Sequence, residues 1–235
     1  MKVYISNREI ETIAEGLVRT VYGKTLPRQI DIDRLAEFLG LTVLYESIAE
    51  ADADKIGFVS DGTTPLTVWR NGQRREVAYL KNTIVLDIFL RRKGEECRRR
   101  FTLAHEIGHI LLNRADPLHT AACYHRVYDR ERQYSIGELH ERLSLGETQA
   151  NALGAQLLMP HSLLTDAVHQ HFRSRTIPVY DECVFLPEMK LRLQDMAEEL
   201  GVSYTAMLIQ LRKYGLLEPK DIRGYFEKLG QEGYG

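Results

Sequence analysis

The chain has 235 residues, 44% of them hydrophobic, and 31 lysines and arginines stand against 33 aspartates and glutamates. That is apolar material for one good core, or one core with a small appended lobe. A formal net charge of −2 excludes wholesale attraction to nucleic acid or to an anionic membrane surface, so any such binding has to be local.

Ser6-Asn7-Arg8-Glu9 carries a capping-box pattern, and Ile10, Ile13, Ala14, Leu17, Val18 and Val21 then mark one helical stripe that ends at Gly23. After Pro27 a short helix is expected from about Asp31 to Leu39, with Leu35, Ala36 and Leu39 inward and a stop at Gly40. From Leu41 to Ile88 the period changes to two. Strands are predicted at Leu41 to Glu46, Lys55 to Ser60, Leu66 to Arg70, Arg74 to Leu80 and Thr83 to Ile88, with Asn71-Gly72 as a two-residue hairpin turn and Asp61-Gly62 as a second turn. Arg91, Arg92, Lys93, Arg98, Arg99 and Arg100, against Glu95 and Glu96, read as a solvated charged face. An anchoring surface for an acidic partner is the other reading.

Next comes Arg100-Phe101-Thr102-Leu103-Ala104-His105-Glu106-Ile107-Gly108-His109-Ile110-Leu111-Leu112. On a helix, residues four apart share a face, so His105 and His109 can aim two imidazoles at one ion. Zinc suits that pair, since a catalytic zinc takes three protein ligands and leaves a fourth position to water. Glu106, beside the first ligand, is placed to act as a general base. Phe101, Ala104, Gly108, Leu111 and Leu112 recur at helical spacing around the motif, as a buried helix requires and a solvated one does not. Cys97, two turns earlier, reads as a buried thiol rather than a ligand.

Asn113 to Gly146 is polar and resists assignment. Glu147 to Met159 then reads as a helix of small and apolar residues stopped by Pro160. Glu147 can supply the third ligand, and Asn151, four residues on, can bond the free ring nitrogen of a ligating histidine. Glu138, His140 and Glu141 are competing ligands from the polar stretch. A helix from Pro187 carries Leu191, Met196, Ala197 and Leu200 and ends at Gly201, and a second runs from Tyr204 to Tyr214 before Gly215. The tight turn between them suggests a helix-turn-helix, in which Tyr204, Thr205, Gln210, Arg212 and Lys213 would face a groove. Asp195, Glu198 and Glu199 on the first helix oppose phosphate binding, so a lobe that walls a cleft or docks a protein is the favoured reading over direct DNA contact.

Together these elements predict an α+β fold. A small antiparallel sheet packs on the helix of His105 and on a second, ligand-bearing helix in a core of residues 1–160, followed by a helical, helix-turn-helix-like lobe of residues 161–235. No run reaches the roughly 18 apolar residues of a membrane span. Three widely spaced cysteines, Cys97, Cys123 and Cys183, behind a start without a signal-peptide core predict a reducing, cytoplasmic home.

The two blocks at 99 to 112 and 147 to 160 resemble the ImmA/IrrE family of bacterial metallo-endopeptidases. The resemblance implies a gluzincin-like Zn2+ site with His105, His109 and Glu147 as ligands and Glu106 as catalytic base. It also implies a protein substrate, a transcriptional repressor of the helix-turn-helix type, cut in a stress response or in mobile-element regulation. The stretch between His109 and Glu147 is longer than the resemblance implies, which predicts an insertion that shapes or covers the cleft. The tyrosine or histidine that would steady an oxyanion stays open among Tyr124, His125, Tyr128, His140, His161 and Tyr204. The rival reading is a catalytically silent regulatory module that grips a repressor or DNA.

Overall fold

The computed structural model describes residues 5–50, 55–115, 123–126, 145–180 and 184–221. The chain divides into two compact units, Met1–Pro160 and His161–Gly235.

The first unit opens with α1 (Asn7–Tyr22). The Ser6 hydroxyl oxygen accepts from the Glu9 amide while the Glu9 carboxylate accepts from the Ser6 amide, so two orphan donors of the first turn are satisfied reciprocally. Ile10, Ala14 and Val18 are the buried part of the stripe. In α2 (Ile32–Phe38) the Asp31 carboxylate caps the amides of Asp33 and Arg34, and Ile32, Leu35 and Ala36 turn inward.

Six strands follow: β1 (Thr42–Glu46), β2 (Lys55–Val59), β3 (Leu66–Arg70), β4 (Gln73–Val77), β5 (Thr83–Asp87) and, after α3 (Glu96–Ala115), β6 (Cys123–Arg126). A short 3-10 turn, Ile88–Arg91, separates β5 from α3. Four strands make a sheet in the order β1-β5-β2-β6. β2 is antiparallel to both its neighbours, whereas β1 runs parallel to β5, Thr42 opposite Thr83 and Glu46 opposite Asp87. The sheet is therefore mixed where sequence pattern led to antiparallel pairing throughout. β2 takes one edge of β5, and β1 lies at the other.

β3 and β4 form a separate hairpin. Asn71 and Gly72 both sit at positive φ (53° and 74°), the paired left-handed conformation that matches strand twist. Leu66, Val68 and Tyr79 pack with Phe58 and Val85 on one face of the sheet. Alternation along the strands sends Gly57 to the opposite face, where α3 lies against β2, β5 and β6.

The charged run at the start of α3 is not simply a solvated face. Arg100 is 4% exposed and donates to the Ile30 carbonyl at 2.8 Å. Arg99 donates to Asp33 at 2.9 Å, to Glu96 at 3.0 Å and to the Tyr45 hydroxyl at 3.1 Å. These two guanidiniums fasten α2 and β1 to the first turn of α3, whereas Arg98 pairs with Glu95 at the surface and lies over the Phe89 ring. Last in the unit, α4 (Leu145–Leu158) packs on α3 and α1 and stops before Pro160.

The second unit contains α5 (His161–Phe172), β7 (Ile177–Tyr180), α6 (Pro187–Leu200), α7 (Tyr204–Lys213) and β8 (Leu217–Lys220). β7 and β8 pair in parallel, a feature that the helical pattern of the sequence hides. Pro187 opens α6, Gly201 ends it at φ 65°, and the Ser203 hydroxyl oxygen caps α7 by accepting from the Ala206 amide. Two expectations fail here. Leu191 is 61% exposed, and the inward stripe is Leu193, Met196, Ala197 and Leu200. Gln210 is buried beside Met207 and Leu211, so it cannot offer its amide to a groove. Among the described residues, no helix is long and apolar enough to cross a membrane.

Candidate metal centre

The centre is made by two helices that touch backbone to backbone. A Cβ added to Gly108 on α3 would lie 2.9 Å from the Ala150 carbonyl oxygen, and one added to Gly154 on α4 would lie 2.9 Å from the His105 amide nitrogen. Each glycine costs its helix about 1 kcal/mol relative to alanine. The close crossing it permits is what carries Glu147 and Asn151, one turn apart on α4, to the imidazoles of α3.

Those imidazoles are buried, His105 completely and His109 nearly so. His109 Nε2 lies 2.9 Å from His105 Nε2, Glu147 Oε1 lies 3.2 Å from His109 Nε2, and Glu147 Oε2 lies 3.4 Å from His105 Nε2. Three donors at ~2.0–2.1 Å from a tetrahedral ion sit roughly 3.3 Å apart, so this triangle has the dimensions of a cation cage. The three residues are also the ones whose donor atoms all fall within 4.8 Å of one another. Asn151 Oδ1 is 3.0 Å from His105 Nδ1. It accepts from the Nδ1–H, which leaves the Nε2 lone pair directed at the triangle.

Electrostatics favour the same protonation states. Burial lowers the pKa of His105, against the pull of the neighbouring Glu147 carboxylate, and the neutral imidazole is the ligating form. Burial also works against the charge of Glu147, but the His105 and His109 imidazoles against it outweigh that cost and hold the carboxyl well below the usual carboxylate range. Two neutral imidazoles with one carboxylate form a donor set suited to a divalent transition ion.

Glu106 points elsewhere. Its side chain is fully buried, and among the described residues neither carboxylate oxygen has a hydrogen-bond partner. Burial pushes its pKa up to about 8, with His109 pulling down and Glu147 pushing up. The carboxylate rests on β2, where a Cβ on Gly57 would come within 2.2 Å of Oε1.

His105, His109, Glu147 and Asn151 thus meet in one place, with Glu106 on the adjoining face of α3. Cys97 is half-buried with its thiol pKa raised by burial, and it has no place in the donor group. Glu138, His140, Glu141, Tyr128 and the side chains of Tyr124 and His125 lie outside the described residues, as does the expected insertion. His161 and Tyr204 belong to the second unit, where His161 stacks on Tyr214 with ring centroids 4.7 Å apart. Gly57, Gly108 and Gly154 carry the geometry; the small residues of 147–159, Gly154 among them, mark that helix in the sequence for close packing on a neighbour, whereas Gly57 and Gly108 were not read as such. Glycine inside a strand or a helix signals close approach, so a mark was present in each case.

A family model described as the IrrE N-terminal-like domain, peptidase M78, matches residues 36–212. No curated protein matches the chain.

Proposed function

The chain belongs to the IrrE N-terminal-like domain family, and from that premise we propose that it is a zinc-dependent endopeptidase acting on a helix-turn-helix transcriptional repressor in the cytoplasm. The observation that carries the reading is the donor triangle of His105, His109 and Glu147 with the unpartnered Glu106 carboxylate on the next position of the same helix. A structural site has no use for that buried carboxylate.

Zinc held by the triangle would supply a Lewis acid that polarises a peptide carbonyl and acidifies water. The chain's own residues do the rest. Asn151 fixes the His105 ring and its tautomer. Glu147 brings the negative charge that a dication prefers. Glu106 accepts a proton from the attacking water at a carboxylate oxygen and passes it to the amine that leaves. The family resemblance supports the repressor as substrate, and the cysteine usage supports the compartment. Direct DNA contact loses one of its candidate side chains with the burial of Gln210.

The test combines metal analysis with cleavage assays on candidate helix-turn-helix repressors from the same genome. Wild-type protein purified without chelator should carry close to one zinc per chain, and Glu147→Ala should lose most of it. Glu106→Gln should keep the metal and the partner but leave the regulator uncut on intact-mass analysis. Cleavage that survives Glu106→Gln would sink the mechanism. A wild type that binds no zinc even after its addition would return the chain to the class of silent binding modules.

A further inference from the structure

Gly57 occupies the interior of β2, with β5 on one side and β6 on the other. Its neighbours Ile56, Phe58 and Val59 are all buried, the composition a covered strand favours. The register of β2 against β6 shifts between Lys55 and Gly57, but that irregularity does not itself call for glycine, because Gly57 is absent from the residues at positive φ and any side chain could adopt its geometry. Space is the explanation. A Cβ at Gly57 would lie 2.2 Å from Glu106 Oε1 and 3.0 Å from Glu106 Cδ, with Thr102 Cγ2 also at 3.0 Å.

A carboxylate is ordinarily held by its hydrogen bonds. Among the described residues Glu106 has none, so the shape of what it rests on fixes where it points. We propose that Gly57 is a positioning residue for the hydrolysis: the hollow over its Cα is the seat of the Glu106 carboxylate and sets the direction from which that group meets the attacking water. The proposal rests on the endopeptidase reading given above. An alanine at 57 fills the hollow, and because the atom it strikes is the far end of a flexible side chain, the carboxylate swings aside while strand and metal ligands stay in place.

A double-mutant cycle on unfolding tests the seat without any substrate. Gly57→Ala should lower the Tm of the metal-free protein by about 3 °C or more, and the loss should largely vanish when Gly57→Ala is combined with Glu106→Ala, which empties the hollow. The same loss in both backgrounds, or relief by Thr102→Ser instead of Glu106→Ala, overturns the assignment. Zinc content gives the second readout and should match wild type in Gly57→Ala. Kinetics on a helix-turn-helix repressor that the wild type cuts give the third: kcat should fall at least about tenfold with KM within about twofold, the pattern of a group that acts in the transition state alone. Wild-type kcat in Gly57→Ala, with Glu106→Gln inactive, defeats the Gly57 proposal by itself. Activity in Glu106→Gln defeats the endopeptidase reading, and the unfolding cycle still decides whether the seat exists.

Discussion

Glu106 is a burden on the fold whenever no cation is bound, because a carboxylate without a partner has been taken out of water. Its folded pKa of about 8 lies above the ordinary value of 4.5, so the folded state holds a proton that the unfolded chain releases. Stability of the metal-free protein should therefore fall as pH rises from about 4.5 towards 8. Glu106→Gln should flatten that slope and stabilise the metal-free protein at neutral pH by about 1–3 kcal/mol. Urea unfolding of both proteins at pH 5 and pH 8 checks the sign; a mutant less stable than wild type at pH 8 would refute it. Asn151 gives a second prediction at this scale. Asn151→Ala removes the acceptor 3.0 Å from His105 Nδ1 and should weaken zinc binding about 10–100-fold, read by competition with a chelator of known affinity. Much of this site was legible in sequence because spacing on a helix is local: His105, Glu106 and His109 declare their shared faces, and Glu147 and Asn151 do the same on α4. Arg100 was not legible. A buried arginine and an exposed one look alike until the Ile30 carbonyl 70 residues away is seen to accept from it.

At the scale of elements, the junction of α3 and α4 decides whether the ligands meet. A Cβ at Gly154 would lie 2.9–3.0 Å from backbone atoms of Ala104 and His105, and backbone cannot swing aside as a side chain can. Gly154→Val should therefore push the helices apart, destabilise the unit by roughly 1–3 kcal/mol or more, and cut zinc content as Glu147 leaves the triangle. Retained zinc with an unchanged Tm would show that the contact has slack. Strand boundaries were readable to within a residue or so in four of the first five strands, since alternation and the Asn71-Gly72 turn are written locally. Pairing was not. Nothing in Thr42 to Glu46 announces that its partner is Thr83 to Asp87 in parallel, and β7 with β8 was missed for the same reason. Leu191 misled through periodicity alone: Leu191 and Leu193 both sit near an apolar stripe, and only packing shows that Leu193 joins it.

Taken whole, the first unit holds its site between a sheet that seats the carboxylate and a helix pair that brings the ligands together. The parallel pairing of β1 with β5 also orders events during folding. The β3–β4 hairpin closes locally, Trp69 opposite Arg74, and hairpins form in about 1–10 μs. β1 cannot find β5 until the forty-odd residues between Thr42 and Thr83 have been gathered in, and such long closures are slow. The chain has a single tryptophan, and it stands on the hairpin. Its fluorescence in stopped-flow refolding should therefore settle well before the protein regains the capacity to capture zinc. Simultaneous recovery of both signals would place hairpin and sheet in one nucleus. Until β2 has paired with β5 and β6, a nascent chain has its two histidines on one stretch of helix and no floor beneath the glutamate between them, so on the proposed reading the capacity to cut arrives only after the helix itself has formed.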